Sequence, residues 1–317
     1  MLHCPRHFLV HCYTSPPPVA PSAAPFSFID LFAGVGGFAC GLHAGRCLLA
    51  VEKDREASEL YVRNHGEPAH GMHKDIYTLP NLPLDADLLC AGFPCQSFSR
   101  AGDKQGLDCP KNGALVFEIV RLLKQAGEHA PRALLLENVR NLLDMDGGET
   151  FDEIIRAVED CGYTMMHKVI FSNEQEGLPQ RRERLYIVGF RKGSRAATSF
   201  EWPAPSSATR TVVRDVLESG DLRRHRLTEH QWAKVTAHKS WHTSVLPPSR
   251  RRLVDLDGCA RTLGALYRTG YMSQSEFVEY EGGEERGAGS RPRFFTPREC
   301  ARLQVSASQH THTLCEL

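Results

Sequence analysis

Four short stretches of the 317-residue chain carry residue types that could do chemistry together. One is Gly92-Phe93-Pro94-Cys95-Gln96-Ser97-Phe98-Ser99. Most cysteines are inert core residues. Cys95 differs by position: it follows the apolar run Ala86–Ala91 on a Gly/Pro loop, so it should fall at the carboxyl edge of a sheet, where open α/β folds bind ligands. A thiolate placed there suits a nucleophile. A second stretch is Leu134-Leu135-Leu136-Glu137-Asn138-Val139. An acid after three leucines should be partly buried, and burial raises a carboxyl pKa. A protonated carboxyl there could donate to a ring nitrogen; the plainer alternative is a capping or salt-bridged Glu137.

The third stretch is Gln180-Arg181-Arg182-Glu183-Arg184. At strand spacing Arg182 and Arg184 should face one way, with Gln180. Two arginines on one face suit a phosphate or a polarised carbonyl oxygen, against the plainer reading of a solvated charge run. The fourth is Asp30-Leu31-Phe32-Ala33-Gly34-Val35-Gly36-Gly37, a glycine turn that lets a ligand approach the backbone closely. Ala39 occupies the place of a third fingerprint glycine, and Glu52 ends the next strand, where an acid can bind ribose hydroxyls. This fits an adenosine-containing cofactor, and does not separate a dinucleotide from S-adenosylmethionine.

These residues need a scaffold, and the pattern supplies one. Strands are predicted at Phe26–Phe32, Cys47–Glu52, Ala86–Ala91, Ala133–Glu137, Val169–Ser172 and Leu185–Phe190. Helices are predicted at Arg55–Asn64, at Gly113–Gln125 with Leu115, Ile119, Leu122 and Leu123 on one face, and at Phe151–Cys161. Such alternation means an α/β fold, a mostly parallel Rossmann-like sheet covered by helices on both faces. Thr296-Pro297-Arg298-Glu299 reads as a capped helix start, with Pro at its first position.

Composition narrows the class. No apolar run reaches the ~20 residues that span a bilayer, so a soluble globular protein with no membrane partner is expected. Net charge is zero, with 38 basic and 38 acidic residues, but Arg191 to Arg252 holds thirteen Lys/Arg against five Asp/Glu. A neutral chain with one basic stretch can still hold a polyanion. The eleven cysteines form no C-x-x-C pair and no cluster at zinc spacing, so reduced thiols and no metal are expected.

The four motifs, in this order and spacing, resemble those of the cytosine-C5 DNA methyltransferases: FIDLFAGVGGF, the acid in AVEKD, DLLCAGFPCQSFSRAG, LLLENV and GLPQRRERLYIVGF. Ala260-Arg261-Thr262-Leu263 and RFFTPRECARLQ resemble two more, so the likeness covers residues 26–304. It implies S-adenosylmethionine as methyl donor, Cys95 as nucleophile at carbon 6 of cytosine, Glu137 at ring N3, and Arg184, with Arg182 beside it, at O2. It assigns Phe32 to the adenine face, Gly34, Gly36 and Gly37 to the methionine end, Glu52 to the ribose, Asp75 and Ile76 to the adenine edge, and Pro94 to the pocket wall. Double-stranded DNA with the target base flipped out is the implied partner, bound by a monomer. The loop Ser99–Asn112 would close over the base. The related tRNA cytosine-C5 branch is the alternative substrate class, and an inactive nucleic-acid-binding paralogue is a third reading.

The expected organisation is a disordered Pro-rich leader at 1–25, a catalytic domain at 26–190, a small basic recognition lobe at 191–258, a return to the catalytic domain at 259–304 and an unrelated tail at 305–317. In the lobe, Arg223-Arg224-His225-Arg226 and Arg250-Arg251-Arg252 are expected on phosphates. A eukaryotic chain would be nuclear, any other cytoplasmic. After RFFTPRECARLQ the family continues into a Gly-Phe-Pro turn and a closing Gly-Asn-Ser-Val-like motif, whereas this sequence runs VSASQHTHTLCEL, as a truncated member would. The expectation is weakened cofactor binding or stability. Calorimetry on the purified 317-residue chain should give an S-adenosylmethionine affinity weaker than micromolar; ordinary micromolar binding would refute it.

Overall fold

The computed structural model describes residues 24–94, 115–175, 177–205, 211–244, 246–247, 251–264, 266–272, 275–280 and 291–304. Cys95, the 99–112 loop, most of the leader, Arg250 and the 305–317 tail lie outside the described residues.

A seven-stranded sheet has the order β3-β2-β1-β4-β5-β8-β6. Its strands are β1 (Ser27–Leu31), β2 (Arg46–Val51), β3 (Met72–His73), β4 (Leu88–Ala91), β5 (Ala133–Val139), β6 (Tyr163–Phe171) and β8 (Glu183–Arg191). β7 (Gln180–Arg181) pairs instead with β9 (Ala260–Arg261) in a small second sheet. The first five strands of the large sheet run parallel, and β8 runs antiparallel to β5. The predicted strands are therefore present, with β6 six residues longer at its start than the apolar run suggested.

Alternation along β1 sorts the core onto two faces. Ile29 and Leu31 join Leu49, Val51, Ile119, Leu123, Ile154 and Leu134 on one side. Those helix residues come from α3 (Leu115–Ala126) and α4 (Glu149–Glu159). Phe28 packs on the other side with Ala50, Ala39 and Tyr61, from α1 (Gly37–Gly41) and α2 (Arg55–His65). Helices on both faces explain why β4 and β5 are almost wholly apolar. α2 starts where Asp54 accepts the Ala57 N–H at 2.8 Å, and stops at Gly66, whose φ of 80° suits a residue without Cβ.

By internal contacts the chain divides into two units: 24–170 with 184–203, and 171–183 with 204–304 among the described residues. Residues 191–203 thus stay with the large sheet, and 259–304 fall in the same unit as 204–258. The continuity has a clear physical basis inside the second unit. Phe277, Phe294, Leu227 and Val235 form one core, and Val213, Val254, Ala260 and Phe295 another.

The second unit also buries an ion pair. Glu299 is 0% exposed and Arg293 3%. Arg293 donates to both carboxylate oxygens, at 2.7 and 2.8 Å, and the backbone N–H groups of Thr296 and Glu218 donate to them at 2.8 Å each. Thr296 caps the helix Pro297–Arg302 with Glu299 at its third position, as the sequence predicts. Removing the negative partner leaves a buried guanidinium uncompensated, so Glu299→Gln should cost about 3–5 kcal/mol. Urea unfolding of the variant beside the wild type measures it.

Candidate active site

Parallel pairing sets Leu31 beside Val51 and Ala91, and Ala91 beside Leu136. The next residues, Phe32, Glu52, Gly92 and Glu137, therefore emerge at one sheet edge. Phe32 is half-buried and has φ 58°, a sparsely populated conformation for an aromatic residue. Such strain persists only where the surroundings enforce it, and clusters at ligand sites.

The glycine turn is held from both sides. Glu52 accepts the Gly34 N–H at 2.8 Å through one carboxylate oxygen and the Asp54 N–H at 2.7 Å through the other. A carboxylate has about four lone-pair sites, so two hydroxyls could still be accepted. Gly34 has φ 56° and Gly36 φ 95°. A Cβ on Gly36 would lie 2.3 Å from the His65 ring, whereas one on Gly37 would meet nothing within 4 Å. Gly37 thus borders open space, which no side chain of its own obstructs. Asp75 pairs with Lys53 at 3.6 Å and accepts the Tyr77 N–H at 3.1 Å. Ile76 is 3% exposed, its side chain in the core, so it can offer a ligand only its backbone. Pro94 is exposed.

On the neighbouring strands Glu137 and Arg184 meet. Arg184 Nε donates to Glu137 Oε1 at 2.7 Å, with about a fifth of each side chain exposed. The plainer alternative of a salt-bridged Glu137 is the one realised. A Cβ on Gly92 would lie 3.7 Å from Glu137 Oε2, so the carboxyl stands over the loop that leads to Cys95. Asn138, 3% exposed, fixes that loop: its Nδ2 donates to the Phe93 carbonyl at 2.9 Å.

Arg182 corrects the sequence reading. Gln180, Arg182 and Arg184 do not share a strand face, because the chain leaves one sheet and enters another at Arg182. A two-residue period does not survive that switch. Gln180 is 1% exposed, and Arg182 accepts the Ser172 N–H at its carbonyl, at 3.0 Å, in the second unit. Two basic runs are also partly internal. His225 is 2% exposed, and Arg252, 9% exposed, donates to the Tyr271 carbonyl at 3.0 Å and lies over Phe277. Those two do not serve phosphates. Arg223 ion-pairs with Asp221 at 2.6 Å, and that contact draws the Asp221 carboxyl down to about 2.

Three residues carry roles that the sequence reading did not assign. Asn138 is one. Asp30 is 0% exposed, and neither carboxylate oxygen has a hydrogen bond of normal geometry among the described residues. Burial pushes its pKa well above 3.8; the Ala39 N–H, approaching without closing a normal bond, opposes this, and the Glu52 charge adds to it. His65 is the third: its ring packs on Tyr61 at 5.0 Å and bonds the Val35 backbone inside the glycine turn. A lone histidine near a helix end gives no sequence signal for that. Burial pushes the Cys47 thiol up to about 12, which makes it a poor nucleophile.

Burial lowers the His65 pKa below 6.5, partly offset by its bond to Val35. The unfolded chain then binds the extra proton first as pH falls, so the neutral ring's stabilisation is complete above about 6.5 and is lost progressively below it. His65→Phe should flatten that acid limb of Tm against pH. An unchanged profile would remove His65 from the account, since His225, shifted the same way, stays in both proteins.

The sequence profile of the C-5 cytosine-specific DNA methylases matches residues 26–309. Type II methyltransferase M1.ScrFI of Lactococcus lactis subsp. cremoris is 36% identical over 311 residues, 95% of this chain and 75% of that protein. Type II methyltransferase M.HpaII of Haemophilus parainfluenzae is 34% identical over 88% of this chain and 79% of its own length. The Dnmt2 methyltransferase structure from S. pombe superposes with a TM-score of 0.64 at 22% identity, over 88% of this chain and 86% of that one, which extends to the fold alone. On the profile and the sequence identities together, the chain belongs to the C-5 cytosine-specific DNA methylase family.

Proposed function

We propose that the chain methylates carbon 5 of cytosine in DNA through a covalent adduct between Cys95 and carbon 6 of a flipped-out base. The Glu137–Arg184 pair carries this reading. Ring N3 and carbonyl O2 are adjacent on cytosine, and an acid and a guanidinium 2.7 Å apart match that adjacency. Of the two carboxylate oxygens, Glu137 Oε1 is the one bonded by Arg184 Nε, and Oε2 is the one nearer Gly92.

The chemistry follows from these partners. Carbon 5 of cytosine is a poor nucleophile. Cys95 thiolate bonds to carbon 6, and the displaced ring electron pair spreads over carbon 5, N3 and O2. Glu137 engages N3 and Arg184 stabilises the charge at O2, as preorganised groups do at developing charge. A role for Arg182 at O2 rests on the resemblance alone. S-adenosylmethionine, when bound, would supply carbon 5 with a methyl group from its sulfonium, whose sulfur leaves as a neutral thioether. Loss of the carbon-5 proton to a base then lets the carbon–sulfur bond break and returns Cys95. A base stacked inside a duplex is out of reach of such a site, which is why flipping is part of the reading.

The glycine turn fits that cofactor. Phe32 would stack on the adenine, Gly34, Gly36 and Gly37 would admit the methionine end, and Glu52 would accept the ribose hydroxyls. Asp75 and the Ile76 backbone would meet the adenine edge, and Pro94 would line the wall.

Incubation with tritiated S-adenosylmethionine should label duplex DNA and leave tRNA unlabelled. Glu137→Gln should retain DNA binding and lose roughly 10²–10⁴-fold in rate, as for a lost acid–base group. Cys95→Ala should transfer nothing. Label in tRNA alone would move the substrate class, and full activity in Cys95→Ala would end the covalent reading.

A further inference from the structure

The QRRER stretch holds an arginine that the catalytic reading leaves unused. Arg181 is the register partner of Arg261 in the parallel pair β7–β9. The preceding partners, Gln180 and Ala260, are each 1% exposed, so alternation turns both arginines to the opposite, solvent-exposed side. Paired strands lie about 4.8 Å apart. Like charges side by side on a ladder are destabilising, so something must hold the arrangement.

Glu276 does part of this. Its Oε2 accepts the Arg261 backbone N–H at 2.8 Å, and its Oε1 pairs with Arg261 Nε at 3.2 Å, with the Glu276 side chain only 16% exposed. Burial pushes the Glu276 pKa up, and the Arg261 amide together with Arg261, Arg252 and Arg181 pull against it. One carboxyl thus sits among three guanidiniums. Arg252 is turned inward, which leaves Arg181 and Arg261 to face solvent. The backbone beneath them is tied down as well: the Thr262 hydroxyl donates to the Arg181 carbonyl at 2.6 Å, and the Ala260 N–H donates to the Pro179 carbonyl at 2.9 Å.

We infer that Arg181 and Arg261 form a clamp for the phosphodiester backbone of the substrate DNA, with Glu276 as the residue that positions Arg261. The inference rests on DNA being the substrate. An excess of positive charge on a locked two-strand ribbon is satisfied by an anion with several acceptor oxygens, and guanidiniums bind phosphate oxygens through paired N–H groups. Such contacts fix position without reading sequence.

The test is binding of the full chain to a fluorescent duplex, by anisotropy, between about 50 and 200 mM salt. Each lost phosphate contact lowers the slope of log affinity against log salt by about 0.9. Arg181→Ala and Arg261→Ala should each do so, equally on cytosine-containing and cytosine-free duplexes. Across that salt range each variant should lose about threefold less affinity than the wild type does. Arg181→Lys and Arg261→Lys should keep the wild-type slope, which separates charge from folding. Arg55→Ala, on α2 in the other unit, should change nothing. Wild-type slopes in both alanine variants would overturn the clamp while leaving the methylation reading intact. A wild-type protein that holds no duplex at the lowest salt would overturn both.

Discussion

Parallel hydrogen bonding forces every strand from β1 to β5 to end at the same side of the sheet. The rest of the site depends on that constraint. A strained Phe32, the Glu52 carboxylate, the Gly92 loop and Glu137 come from four separated stretches, yet they share an edge because their strands share a register. Arg184 reaches the same place from the opposite direction. It enters on β8, whose antiparallel pairing sets Arg184 across from Val139, one pleat beyond Glu137. A diagonal neighbour at that spacing is within reach of a long side chain.

Buried carboxyls fare differently in the two units. Around Asp30 no described residue closes a normal hydrogen bond, and burial outweighs the approach of the Ala39 N–H, pushing the pKa well above its usual value. Around Glu299 each oxygen is answered by a guanidinium and a backbone N–H, at zero exposure. Both outcomes follow from one rule: an ion leaves water only where its hydrogen bonds are replaced.

Much of the fold is legible in the sequence, because long apolar runs and glycine turns report local physics. β1, β2, β5 and α2 begin and end within two residues of their patterns. The capping box at Thr296 is legible for the same reason, since its three residues act within one turn. What was hidden is what depends on distant partners. Arg182 follows a strand pattern but sits where the chain changes sheets. Arg252 and His225 look like parts of solvated basic runs, and are packed inside by Phe277 and the second core. The role of His65 appears only when α2 folds back over the glycine turn. Glu137 announced itself as an acid after leucines; its partner Arg184, forty-seven residues later, could be matched to it only by resemblance.

The bond from Asn138 to the Phe93 carbonyl has a mechanical meaning. It rivets the strand that bears Glu137 to the loop Gly92–Pro94. Strand and loop are thereby parts of one joint. The buried amide of Asn138 is thus a spacer, and its length, rather than any chemistry of its own, is what the site uses.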